Sequence, residues 1–171
     1  VCALLKGRIN KISLYDIRPI DPATIEGPEK DKTVVVNSWQ EGYRDTDIFI
    51  TCTVSPAPYI DEKPKAASLQ LNCSLRDYKT CILDHTKAII VDDWVEVNRE
   101  KTDIEMMHKE RGLQEKDTKS IVDVVCNNAM ASYPADEAIM FNPMGMAAFD
   151  IATGRYYVDA ARKAGIGQEL E

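Results

Sequence analysis

The chain has 171 residues, 44% of them apolar and 29% charged, with a formal net charge of −7. That balance is typical of a globular chain with one sizeable core, and the acidity argues against a general nucleic-acid or membrane-surface binder, because phosphate-rich partners would be repelled. The longest uncharged apolar runs span only a few residues, far short of a membrane span.

Five cysteines (Cys2, Cys52, Cys73, Cys81 and Cys126) include no C-x-x-C pair. They read as free thiols of a reducing cytoplasm rather than a disulfide framework. The chain opens on Val1. VCALLKG lacks the charged start, long apolar core and cleavage site of a signal peptide and reads as the last turns of a helix that began upstream, as in a fragment.

Lys11–Asp16 (KISLYD) forms a short strand with an acidic residue at its C-terminal end, followed by a Pro- and charge-rich loop over 17–32. Thr33–Val36 (TVVV) reads as a buried strand. Ser38, three residues before Glu41, forms a capping box for a short helix ending near Asp45. Asp47–Val54 (DIFITCTV) is the strongest strand and ends at Pro56 and Pro58. Ser68–Cys73 and Ala88–Val91 add two more strands, the second closed by Asp92-Asp93-Trp94. The charge-rich stretch from Val95 to Gly112 reads as one surface helix closed by Gly112, Asp117–Ser120 as a cap for a helix through Val125, and Asn127-Asn128 as a turn. The run Ala138–Phe141 ends at Asn142-Pro143, where Asn142 suits an N-cap and Pro143 a first helical position. Gly145 sits near that helix start, Ala147, Ile151, Gly154, Val158 and Ala161 make one small-residue face, and Gly165 closes the helix. Strands alternating with crossovers of this length indicate parallel βαβ units in a doubly wound α/β sheet.

His85 and His108 stand without ligand-spaced partners, so no metal site is expected. There is no P-loop, G-x-S-x-G or H-E-x-x-H. The Asp92-Asp93 pair is either a cation or acid/base site or a helix cap. Asp16 is more informative: an acid ending the second strand of a dinucleotide fold accepts from the adenosine ribose hydroxyls, although a turn Asp would look the same. The glycine motif G-x-G-x-x-G that would accompany it is absent from the chain.

DIFITCTVSPAPYI, AIIVDDWVEVNREK and FNPMGMAAFDIATGRYYVDAARKAGIG resemble the ornithine cyclodeaminase/μ-crystallin family. The nearest branch is the N-(2-amino-2-carboxyethyl)-L-glutamate dehydrogenases, which supply 2,3-diaminopropionate for siderophores and nonribosomal peptide antibiotics. The resemblance implies a Rossmann-like sheet lacking its first strand and glycine loop over 1–137, then a strand–helix segment, 138–171, returning to a substrate and dimerisation domain. It further implies that Val1–Leu5 ends the helix after the glycine motif and that NAD is the cofactor. Asp16 would bind its ribose, Thr51, Cys52 and Thr53 would line it, and Asn72, Ser74, Asn142, Met144 and Gly145 would lie near the nicotinamide. Asp77 and Lys79 fall where the family has an active-site acid and base. A soluble cytoplasmic homodimer acting on a small amino-acid-derived substrate is implied, with no nucleic-acid or membrane partner. The segment Asn127–Tyr133 (NNAMASY) departs from the Gly- and Arg-containing stretch of relatives. Two alternatives remain open: ornithine cyclodeamination or imine reduction by the same fold, and a non-catalytic nucleotide- or partner-binding module. A sheet without its central first strand is expected to split and expose edges.

Overall fold

A computed structural model describes residues 4, 5 and 7–168. The helix end expected at Val1–Leu5 lies mostly outside these residues, as do Cys2 and the last three positions of the 138–171 segment.

All strand pairings between named strands are parallel. Two strands, β1 (Ile12–Leu14) and β2 (Thr33–Val35), form a small sheet of their own. The other five, β3 (Ile48–Thr51), β4 (Leu69–Asn72), β5 (Ala88–Val91), β6 (Lys119–Ser120) and β7 (Ile139–Asn142), form a second sheet in the order β3-β4-β7-β5-β6. The expected split is therefore present: β1 and β3 each keep an unpaired edge. Helix α1 (Trp39–Tyr43) carries the chain from one sheet to the other. Its Gly42 lies against Ser13 of β1 and against Val36, the residue after β2, while Tyr43 packs edge-on against Phe49 of β3 with ring centroids 4.8 Å apart. The Ser38 hydroxyl accepts from the Glu41 amide at 3.2 Å, and the Glu41 carboxylate accepts from the Asn37 amide at 3.1 Å, which pins the start of this one-turn helix.

Register explains how the larger sheet divides its faces. Phe49, Gln70, Met140 and Ile89 make one cross-sheet row. Thr51, Asn72, Asn142 and Val91 continue it toward the C-terminal ends. This face is covered by the 3-10 turn Thr80–Asp84 and by helix α3 (Asp103–Arg111), whose Ile82, Ile104 and Met107 are fully buried in the core with Tyr43, Ile60, Tyr78 and Met140. Along the opposite row Ile50 is exposed, Leu71 and Phe141 are partly buried and Ile90 is buried, so this face is covered only toward β5, although parallel sheets ordinarily bury both faces.

Three local expectations are corrected. Thr33–Val36 is not a buried strand: Val34 and Val35 are exposed and only Val36 is buried, because the small sheet has too few neighbours to cover them. Val95–Gly112 is not one helix but two, α2 (Trp94–Val97) and α3. The break comes at Glu100 and Lys101, both at positive φ, with Thr102 capping α3. Asn142 does not cap the C-terminal helix. It ends β7, and α5 (Ala147–Ala164) starts after Met146, because burial with neighbouring amides holds Asn142 in the sheet. The Gly112 and Gly165 stops are as expected, both left-handed. Ser120 caps α4 (Ile121–Asn127). None of the residues of α5 is buried.

Candidate active site

The C-terminal ends of parallel strands collect loops and ligands, and here they carry a buried polar network. Asn72, at the end of β4, accepts from the Thr51 hydroxyl at 3.2 Å. Its amide donates to the Asn142 side chain at 2.8 Å and to Asp103 Oδ2 at 2.9 Å. Asn142 in turn donates to the carbonyls of Ile90 at 3.2 Å and Met140 at 3.3 Å. Both amides are thereby oriented and satisfied, as burial requires.

Beyond β4 the chain turns through Leu75, at positive φ, and places Asp77 back over the strand ends. Asp77 is fully buried. One of its oxygens accepts from the Thr53 hydroxyl, and the other, Oδ2, has no hydrogen-bond partner. The loop is held by Asp103, the first residue of α3, whose Oδ2 accepts from the Asp77 and Tyr78 amides, each at 3.1 Å. Asp103 Oδ1 is likewise buried without a partner. Burial pushes the Asp103 carboxyl up to about 6, and the nearby Asp77 charge adds to this. The donors from Tyr78, Asn72 and Asp77 act against it. Tyr59, whose hydroxyl engages Thr53, is raised to about 12 by burial and then by the Asp77 charge.

A second carboxylate fixes the approach to α5. Asp92 is buried at the end of β5, and its Oδ2 accepts from the Gly145 amide at 2.6 Å. Gly145 has φ +92° with open space at its Cβ position, so the glycine serves this left-handed turn and not a close approach. Asp93 is the cap of α2, accepting from the Glu96 amide at 2.9 Å, which gives the acidic pair two separate jobs.

The structure thus brings Thr51, Thr53, Asn72, Ser74, Asp77 and Asn142 together, with Thr53 donating from its amide to the Ser74 hydroxyl at 2.8 Å. Cys52 lies between Thr51 and Thr53 and is exposed. Met144 packs against the core, and Gly145 is held beside it by Asp92. Asp16 lies on the small sheet, exposed and just past β1, where its carboxylate accepts from the Arg18 amide at 2.8 Å. That bond and the Arg18 guanidinium hold it below the usual carboxylate range. The Lys79 side chain does not join the cluster; it pairs with Asp61 at 2.5 Å on the exterior. Asp103 was not anticipated from the sequence. Its signal was the Thr102-Asp103-Ile104-Glu105 capping pattern inside a stretch that reads as one charged helix.

The described residues therefore form a parallel α/β fold with a buried carboxylate–amide cluster at its strand ends. No family model matches the chain. The N-((2S)-2-amino-2-carboxyethyl)-L-glutamate dehydrogenase of Staphylococcus aureus (strain NCTC 8325 / PS 47) is 29% identical, the match covering 95% of this chain and 50% of that protein. The Δ1-pyrroline-2-carboxylate reductase of Thermococcus litoralis, solved with NADH and L-proline, superposes with a TM-score of 0.69 at 20% identity over 81% of this chain and 45% of its own. A probable ornithine cyclodeaminase from Bordetella pertussis Tohama I gives a TM-score of 0.64 at 19% identity over 80% of this chain and 46% of its own. The chain spans about half the length of the proteins it matches. Its fold is Rossmann-like, and the resemblance carried by its motifs is borne out.

Proposed function

We propose that this chain is the nucleotide-binding part of an NAD-dependent oxidoreductase. Its reaction would cleave N-(2-amino-2-carboxyethyl)-L-glutamate to 2,3-diaminopropionate and 2-oxoglutarate, for siderophore or nonribosomal peptide synthesis in the cytoplasm. The observation that carries this reading is Asp77: a fully buried carboxylate with one unpartnered oxygen at the strand ends, in a chain similar over nearly its whole length to a dehydrogenase with that substrate in its name.

The residues fit a dinucleotide. A buried acceptor without a donor is the kind of atom a ligand completes. Asp16 would take the ribose hydroxyls, Thr51, Cys52 and Thr53 would line the cofactor beyond β3, and Asn72, Ser74, Asn142, Met144 and Gly145 would surround the nicotinamide. NAD supplies a hydride acceptor when bound. As a hydride leaves the glutamate-side Cα, Asp77 Oδ2 takes the proton of the secondary amine, leaving an imine. Water adds to the imine carbon, and the same carboxyl returns its proton to the departing diaminopropionate nitrogen. Thr53 and Asp103 hold Asp77 in place for both transfers. Lys79, engaged by Asp61, takes no step.

Assembly as a homodimer fits α5, which exposes Ile151, Tyr156, Tyr157 and Val158 along its length, an apolar surface of the kind that marks an interface. A second reading, imine reduction, is favoured by the likeness to the pyrroline-2-carboxylate reductase. The test is a substrate panel with the full chain: the proposal expects NADH and 2-oxoglutarate in equal amounts from the glutamate adduct. NADH consumption with pyrroline-2-carboxylate, and none of those products, would favour the second reading.

A further inference from the structure

Two cysteines meet at the strand ends. Thr51 of β3 and Asn72 of β4 are register partners, and their side chains bond at 3.2 Å. Two residues on, the Thr53 amide donates to the Ser74 hydroxyl at 2.8 Å. The parallel alignment therefore continues past the strands, and between these two cross-links Cys52 stands beside Cys73. Side chains alternate along an extended chain. Both thiols thus project to the face opposite the buried Thr51–Asn72 pair, and both are free and exposed. Neighbouring strands run about 4.8 Å apart, inside the roughly 4.4–6.8 Å Cα separation that a disulfide spans. The Cys73 thiol is held above its ordinary value first by partial burial and then by the Cys52 thiol next to it, as expected of adjacent sulfurs.

We propose that Cys52 and Cys73 are a reversible dithiol/disulfide site, closed by hydroperoxides and reopened by low-molecular-weight thiols. The chemistry balances with two electrons. The Cys52 thiolate attacks a peroxide oxygen, the O–O bond breaks, and Cys52 becomes a sulfenic acid while an alcohol or water leaves. The Cys73 sulfur then displaces the sulfenic hydroxyl as water, forming the S–S bond. Exposed bridges of this kind are the labile ones, and transient disulfides are the form compatible with a reducing compartment. The bridge would tie together the two strand ends that carry Thr53 and Asn72, and with them the contacts of Asp77.

The test uses the reduced full chain titrated with hydrogen peroxide and read by intact mass and tryptic mapping. The expected result is a loss of about 2 Da, reversed by dithiothreitol, with the peptides 45–65 and 66–76 linked. Cys52→Ser or Cys73→Ser should abolish that linkage, and Cys81→Ser with Cys126→Ser should keep it. Stepwise gains of about 16 Da on separate cysteines, linkage through Cys81 or Cys126, or an unchanged mass would overturn the proposal. None of these readouts needs the protein to be an enzyme, so the dithiol and the dehydrogenase reading fail separately.

Discussion

Replacing Asp103 by Asn tests the buried network through its response to pH. In the folded chain the Asp103 carboxyl sits near 6, against an ordinary value of 3.8. The folded state therefore holds a proton between pH 4 and 6 that the unfolded chain has released. Stability from this group is fully present below pH 4 and is lost as pH rises through 6. A displacement of that size is worth about 3 kcal/mol, or roughly 6–12 °C in the unfolding midpoint of a domain this long. Asn keeps an oxygen for the three donors that Oδ2 now serves, from Asn72, Asp77 and Tyr78, and carries no charge at any pH. The difference between the two proteins, measured by thermal unfolding at pH 4, 5, 6 and 7.5, should shift in favour of Asp103→Asn by about 3 kcal/mol across the range. Subtraction removes the other carboxylates held low by their partners, such as Asp84 and Asp123, which push stability the opposite way. Parallel profiles would refute the claim that Asp103 is a desolvated, proton-binding residue.

Three further outcomes follow from the same geometry. Asp77→Asn should lower kcat about 10²- to 10⁴-fold while leaving NAD affinity within a few-fold, measured by 2-oxoglutarate release and by titration of the cofactor. Asp16→Ala should weaken NAD about tenfold or more and narrow the preference over NADP, since the ribose hydroxyls lose a charged acceptor; equal affinities for wild type and variant would place the ribose elsewhere. Asp92→Ala frees the Gly145 amide at a cost of about 1–3 kcal/mol. Amide exchange at Gly145 should quicken roughly tenfold or more, with α2 unaffected because Asp93 caps it independently.

Much of the sheet was legible in the chain because its strands are short β-branched or apolar runs: Ala88–Val91 matches β5 residue for residue. The capping Ser38 and the terminal Gly112 and Gly165 were legible for the same local reason, since each acts on the backbone next to it. The insertion of β7 between β4 and β5 was not, because strand order is set by contacts dozens of residues apart. Asn142 shows the ambiguity at single-residue scale: an asparagine before proline looks like a cap, and only the amides of Asn72 and the carbonyls of β5 and β7 make it a buried strut. Asp103 was hidden by its neighbours. Charges on both sides suggested a solvated helix face, and nothing local announces that Glu100 and Lys101 reverse the chain and turn one carboxylate inward. The split between the two sheets could be anticipated from topology alone, because the strand that would lie between β1 and β3 has no counterpart among these residues.

The most direct measurement follows a label. The full chain is supplied with NAD and N-(2-amino-2-carboxyethyl)-L-glutamate carrying deuterium at the glutamate-side Cα, and the reduced cofactor is examined by mass spectrometry. The proposed reaction places one deuterium in the dihydronicotinamide for each 2-oxoglutarate formed. Deuterium that appears in solvent or stays in the substrate, with no reduced cofactor, would contradict it.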